Sequence, residues 1–253
     1  MSKVVIAGCG AAGMYAAITA AQAGHQVLVC EKNEKPGKKL YITGKGRCNV
    51  TNDCDPEEFL KNVCTNRKFL YSAIYGCTSQ DVMEFFESHG LKLKTERGNR
   101  VFPASDHSSD VIAALRRTMQ SLGVETRFHA SVKEILEENG HAAGVALENG
   151  EKISADAVIV ATGGLAYPST GSTGDGYRFA KETGHTVTEQ YPALVPMNIK
   201  EDIPGRLQGL SLKNVQVSVM DGKKRIYEDF GEMMFTHFGI TGPIVLSASH
   251  EVG

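Results

Sequence analysis

Lys3-Val4-Val5-Ile6-Ala7 is a β-branched apolar run, and Gly8-Cys9-Gly10-Ala11-Ala12-Gly13 follows it at once in the pattern G-x-G-x-x-G. The alanine-rich stretch from about Ala11 to Ala23 predicts a helix, with Gly24 where a helix C-terminal glycine belongs. Gln26-Val27-Leu28-Val29-Cys30 reads as a second strand, closed by Glu31. Each part has a physical job. Gly8 permits the tight strand-to-helix turn, Gly10 lets the backbone approach a pyrophosphate, and Gly13 lets the helix lie close on the sheet. The N–H groups at Ala11 and Ala12 open the helix and face its positive dipole end toward phosphate. Glu31, eighteen residues after Gly13, is placed to accept hydrogen bonds from an adenosine ribose and is expected to do that rather than fill the core.

The rest of the chain bounds this reading. At 253 residues with 42% hydrophobic content the chain can fill a sizeable core, and a net charge of −2 gives no bias toward nucleic acid or membrane. Cysteines at 9, 30, 48, 54, 64 and 77 match no zinc spacing and read as reduced thiols of a cytoplasmic protein. Residues 4–24 are apolar enough to suggest a signal peptide, but the glycine pattern inside them explains them better. No run reads as a membrane span once that stretch is assigned to strand and helix.

Residues 32–52 hold Lys32, Lys38, Lys45 and Arg47 among Thr43, Gly44, Gly46, Cys48 and Asn49. This composition predicts a long loop of donors directly after the ribose acid. Lys38 and Arg47 offer positive charge to phosphate. A solvated basic loop is the alternative.

Pro36-Gly37-Lys38-Lys39-Leu40 followed by Thr43-Gly44-Lys45-Gly46-Arg47-Cys48-Asn49-Val50-Thr51-Asn52 closely resembles the signature of a family of bacterial NAD(P)/FAD-dependent oxidoreductases, which includes aminoacetone-oxidase-like and bile-acid dehydroxylation flavoproteins. Arg100-Val101-Phe102-Pro103 and the stretch from Phe235 to Pro243 resemble the same family. The resemblance implies that FAD lies on the first βαβ unit, with Lys32, Lys38, Thr43, Gly44, Arg47, Cys48 and Asn49 around its pyrophosphate and ribityl region.

Further along, residues 53–90 predict helices. Thr78 and Asp81 form a capping-box pattern before Val82, and Phe69, Phe85 and Phe86 form an apolar stripe expected in the core. Leu91 to Thr95 and Arg100 to Pro103 read as strands. Ser105-Asp106 is expected to cap a helix from about Ser109 to Leu122, and Val124 to Phe128 returns to the parallel sheet. Residues 53–104 are therefore an excursion. Asn139-Gly140 and Asn149-Gly150 predict a β-meander over 131–161. This order, ending in Ala161-Thr162-Gly163, resembles the wider two-dinucleotide-binding-domain flavoproteins. That resemblance implies that Val132 meets the adenine through its backbone and that Ala161, Thr162 and Gly163 pass close to the cofactor.

Thr170-Gly171-Ser172-Thr173-Gly174-Asp175-Gly176 precedes a short helical stretch and resembles the Thr-Gly-Asp-Gly segment of fumarate-reductase-like flavoproteins, although Ser172-Thr173 intervene. Asp175 either hydrogen-bonds the cofactor or caps the helix. From Tyr191 the chain turns β-rich, with Val215, Val217 and Val219 alternating before Asp221-Gly222. His237, between two phenylalanines, is open to an acid–base or a structural role.

These readings predict an α/β protein. A Rossmann-like FAD-binding domain, with parallel sheet, helices and β-meander, spans 1–190, and a β-rich second domain begins at 191 and is incomplete by 253. The family it resembles runs on beyond Leu246, so Ile244, Val245 and Leu246 are expected to lack partners and FAD to be held weakly. The expected function is FAD-dependent oxidoreduction of a small molecule with NAD(P)H as donor, with no nucleic-acid or membrane partner. Two alternatives are a flavin-linked tRNA-modifying protein and a non-catalytic fragment that keeps the dinucleotide fold.

Overall fold

Lys3–Ala7 (β1), Ala11–Gln22 (α1) and Gln26–Cys30 (β2) form a βαβ unit, with β2 parallel to β1 in the register Ile6↔Val29. The computed structural model describes residues 1–252, and the chain divides into two compact units, Met1–Val187 and the residues from Thr188 on. Both strands read as unbroken apolar runs because both of their faces are buried. Val4, Ile6, Val27 and Val29 face one layer, while Val5, Ala7, Leu28 and Cys30 face the other. Burying a side chain such as Ile6 fully contributes about 1.5–3 kcal/mol.

After β2 the chain leaves the sheet. Lys38–Ile42 (α2) is one helical turn, a correction to the loop expected over 32–52. Gly37 makes the turn possible: its φ is +67° and its N–H donates to Cys9 O at 2.8 Å. Thr51–Asn52 (β3) follows, then the helices Pro56–Lys61 (α3), Tyr71–Gly76 (α4) and Ser79–Ser88 (α5). Thr78 and Asp81 close the capping box at the start of α5. Leu93–Glu96 (β4) and Arg100–Pro103 (β5) pair antiparallel, giving a small sheet in the order β3-β5-β4. Of the expected aromatic stripe, Phe86 is buried and Phe85 packs on the core, but Phe69 is 79% exposed. It sits in a short 3₁₀ turn, Arg67–Leu70, so helical spacing did not apply to it.

Ser108–Ser121 (α6) packs against α1, and Glu125–Arg127 (β6) rejoins the sheet beside β2. Asp106 does not cap α6: His107 holds that position, and Asp106, at φ +59°, binds Lys94 and Arg47 instead. Val132–Glu138 (β7), His141–Leu147 (β8) and Lys152–Ser154 (β9) form the meander, and Ala157–Val160 (β10) completes a parallel sheet in the order β10-β1-β2-β6. Asn139 and Gly140 both take positive φ, as a two-residue hairpin turn requires. Asp175–Glu182 (α7) follows. One core lies between the sheet and α1 with α6, around Met14, Ile18, Val111 and Met119. The other lies under the meander, around Val132, Val145, Leu147 and Phe179.

The second unit carries Met197–Asn198 (β11), Ile203–Leu207 (α8), Ser211–Asp221 (β12), Lys224–Phe235 (β13), Gly239–Thr241 (β14) and Pro243–Val252 (α9). Its antiparallel sheet runs β11-β14-β13-β12. Val215, Val217 and Val219 are half-buried, alternating with exposed neighbours. The expectation that the last apolar residues lack partners is corrected. Ile244 and Val245 are 3% and 1% exposed because α9 lies on β13, where Gly231 leaves room for Ile244.

Candidate functional site

The sheet order reverses at β1: the chain runs outward through β2 and β6 on one side and reaches β10 on the other. In open α/β sheets the crevice at such a point, beyond the carboxyl ends of the strands, is where ligands sit. A cleft of about 660 Å³ lies there, with Ala7, Cys30 and Val160 at its floor.

One wall is the glycine turn. Gly8, Gly10, Ala11 and Ala12 line it. Gly8 has φ +104°, and a Cβ there would stand 2.6 Å from Ala161 O. Gly13 lies behind the wall, where a Cβ would collide with the Gly8 carbonyl, so its glycine serves helix-to-turn packing. The N-cap of α1 is Gly10, and no side chain caps the helix, so its first N–H groups stay open toward the cleft.

Glu31 lies in the cleft at 6% exposure and is already hydrogen-bonded within the protein. Its Oε2 accepts from Cys9 N at 2.7 Å, and its Oε1 accepts from Asn33 N at 2.8 Å and Asn33 Nδ2 at 2.7 Å. The acid thus ties β2 to the glycine turn as well as facing the cleft, which corrects the expectation that it keeps apart from the core. Beside it, Cys9 has its thiol pushed up to about 12, first by burial and then by the Glu31 charge.

Lys32 lines the cleft and donates to Asp175 Oδ2 and Thr173 Oγ1, both at 2.7 Å. Asp175 is the first residue of α7. The N-cap is Gly174 in a left-handed conformation, so Asp175 is not the cap. Lys38 lines the cleft too, with Nζ 3.3 Å from Asn33 Oδ1 and 3.2 Å from Glu34 Oε2. Thr43 is at the rim, its hydroxyl donating to Leu40 O at 2.7 Å. Ala161, Thr162 and Gly163 line the cleft beside the glycine turn, and Val132 lines it as well. Thr162 Oγ1 is buried without a hydrogen-bond partner, a costly state that a ligand's polar group would relieve.

Besides Gly13, four expected residues, all in the 43–49 loop, stand outside the cleft. Arg47 turns away: Nε donates to Asp106 Oδ1 at 2.7 Å, Nη2 donates to Glu96, and the guanidinium lies 4.0 Å from the Phe102 ring centroid. Gly44, at φ +55°, lets the chain fold back so that a Cβ would stand 3.1 Å from Asn49 N. Cys48 is buried in the core, which pushes its thiol up. The Asn49 amide sits 3.2 Å from Val101 O and 3.0 Å from Thr51 O, holding β3 to β5. These contacts hold the loop on the β4–β5 hairpin. His237 is exposed in the second unit, edge-on to Phe238.

The sequence did not single out Asn33, Lys39, Ser172 or Tyr177, which also line the cleft. Gly163, at φ +76°, makes room for Ser172, whose Oγ stands 2.6 Å from where a Cβ would be. The repeated glycines around 163–176 were the available signal for Ser172 and Tyr177. Asn33 and Lys39 carried none beyond their closeness to Glu31 and Lys38.

An uncapped helix N-terminus, a Cβ-free turn, three lysines and an orphaned hydroxyl at one cleft suit a ligand with a diphosphate and a ribose. The fold and the cleft define a dinucleotide-binding Rossmann protein. The chain belongs to the family described as the HI0933-like protein Rossmann domain, whose model matches residues 2–248. It is 34% identical, over its whole length and 61% of the relative, to a 3-dehydro-bile acid delta(4,6)-reductase from Clostridium scindens. It is 29% identical, over 97% of its length and 60% of the relative, to a ribosomal RNA dihydrouridine synthase from Escherichia coli. The chain thus spans about 60% of the length of these curated relatives. A 3-ketosteroid-delta4-(5alpha)-dehydrogenase from Rhodococcus jostii RHA1 shares the fold with a TM-score of 0.55 at 16% identity, over 84% of this chain and 59% of that one.

Proposed function

We propose that this chain is the FAD-holding portion of a cytoplasmic oxidoreductase that uses NADH or NADPH to reduce a small molecule. The observation that carries the reading is the convergence of the open α1 N-terminus, Glu31 and the orphaned Thr162 hydroxyl on one cleft. In this reading the N–H groups around Gly10, Ala11 and Ala12 hold the pyrophosphate, with Lys38 and Lys39 offsetting its charge. The free acceptor capacity of Glu31 takes the adenosine ribose, and the Val132 backbone takes the adenine. Thr162 donates toward the ribityl side, and Asp175 with Lys32 closes the edge. When bound, FAD supplies the hydride chemistry, and these residues bind it, orient it and exclude water.

The relatives' names support a substrate class. A delta(4,6)-reductase of a 3-dehydro steroid and a dihydrouridine synthase both name reduction of a carbon–carbon double bond conjugated with a carbonyl. We extend that class to the whole protein of which this chain forms the cofactor-binding part. The second relative favours a further reading, in which the conjugated bond belongs to a base of ribosomal RNA. The net charge of −2 weighs against it, since RNA affinity rests largely on basic residues.

The test is an anaerobic absorbance spectrum of the protein after incubation with FAD and desalting. A flavin band that bleaches on adding NADH or NADPH, and returns on adding a cyclic enone, supports the reading. A protein with no flavin band refutes it. Filter binding with a ribosomal RNA fragment decides between the two substrates.

A further inference from the structure

Asn33 makes more contacts around Glu31 than any role in a solvated turn requires. Its backbone N–H and its Nδ2 both donate to Glu31 Oε1, at 2.8 and 2.7 Å. The same Nδ2 reaches Thr170 O at 3.2 Å, and Oδ1 accepts from Lys38 Nζ at 3.3 Å. Its carbonyl accepts from His129 N at 3.2 Å, which fixes the backbone beneath the amide. One side chain therefore joins the acid at the end of β2, the 170–171 strap across the cleft and a lysine of α2.

A second observation points the same way. Gly171 has φ +99°, and a Cβ there would stand 2.7 Å from Asn33 Nδ2 and 3.2 Å from Lys32 Cε. The strap lacks a side chain where the Asn33 amide needs the space. Acceptor counting gives the consequence. An ionised carboxylate offers about two acceptor sites per oxygen. Glu31 Oε1 has two donors and is full, while Oε2 has one donor, Cys9 N, and one site left.

We infer that Asn33 is a positioning residue for ribose recognition: its amide, with its backbone N–H, saturates Glu31 Oε1 and pins the strap, so that the one free site on Oε2 reads a ribose hydroxyl. This rests on the dinucleotide reading above. Without the amide, the carboxylate rotates between two partly free oxygens and the strap loses its anchor, so hydroxyl selectivity is lost along with affinity.

The experiment is isothermal titration of the full chain with FAD, ADP and 2′,3′-dideoxy-ADP, using the parent, Asn33→Ala and Gly171→Ala. The parent should prefer ADP over the dideoxy compound by about tenfold or more, the worth of a hydrogen bond to a charged group. In Asn33→Ala that ratio should fall toward one while FAD binding weakens. Gly171→Ala, which keeps the amide but pushes the strap off it, should weaken FAD binding in the same direction, and it replaces Asn33→Ala if that variant fails to fold. A folded Asn33→Ala with the parent's ADP preference overturns the inference. A parent that binds FAD but does not distinguish the two nucleotides also overturns it, and leaves the cofactor reading standing. A parent that binds neither FAD nor ADP sinks that reading and the role of Asn33 with it.

Discussion

Two glycine-rich turns, residues 8–13 and 43–49, follow strand β1 and helix α2, and they do opposite things. The first is open to the cleft: its glycines bring backbone close to Ala161, and its charge comes from a helix end. The second is closed: Gly44, Cys48 and Asn49 fold it onto Phe102 and the β4–β5 hairpin, and Arg47 is spent on Glu96 and Asp106. A backbone-made site is encoded by neighbouring residues. The partner of a long charged side chain is encoded far away, here 49 and 59 residues along the chain.

The contrast breaks most sharply at Gly13→Val. The added side chain meets the Gly8 carbonyl, so the βαβ unit should lose at least about 3 kcal/mol and its cooperative thermal transition. A melting curve near the parent's would show that the close packing is dispensable.

Glu31→Ala comes next. It removes the acceptor for Cys9 N and both Asn33 donors, so a loss of about 1.5–3 kcal/mol in folding stability should accompany weaker FAD binding. Denaturant melts and titration of the same samples check the pair. Lost FAD binding with parental stability would mean that the internal hydrogen bonds contribute little.

Arg47→Ala sharpens the comparison from the closed side. It should lower the melting temperature by a few degrees and leave the FAD dissociation constant within about twofold of the parent, since half-buried ion pairs open to solvent are weak and both of these lie off the cleft. Hydrogen bonds from Lys94 and Arg47 hold Asp106 below the usual carboxylate range, and Arg47 does the same for Glu96. Folded-state values below the unfolded ones give stability that is present above about pH 4 and lost as pH falls through the depressed values. The melting curves of variant and parent should therefore converge in acid. A large loss of FAD affinity in Arg47→Ala would restore the phosphate role that the sequence suggested.

The smallest effect is chemical. Cys64 and Cys77 are exposed, while Cys9 is buried with its thiol pushed up to about 12. Iodoacetamide at pH 8 should label the first two and spare Cys9, as peptide mass spectrometry would record. Early labelling at Cys9 would mean that the glycine turn opens.

Much of this fold was legible because it is written in periods and turns. The unbroken apolar runs of β1 and β2, the α1 glycines, the Thr78–Asp81 capping box and the Asn139-Gly140 turn are local features, and each forms as read. What was not legible depends on distant contacts. Asp106 has the composition of a cap, but Lys94 and Arg47 claim it. Phe69 has the spacing of a core residue, but the chain tightens to a 3₁₀ turn there. Ile244 and Val245 were expected to lack partners because the resembled family runs on beyond Leu246, but β13 buries them, with room for Ile244 left by Gly231, 13 residues away in the chain. At the cleft, Asn33 escaped notice for the same reason, since its partners include Thr170, 137 residues away.

The central claim is that the cleft at the end of β1 holds FAD by its adenosine diphosphate half. Isothermal titration of the apoprotein with FAD, repeated in saturating ADP, tests it most directly. The account predicts one-to-one binding of FAD that ADP abolishes competitively. FAD binding that is indifferent to ADP, or no saturable FAD binding, would contradict it.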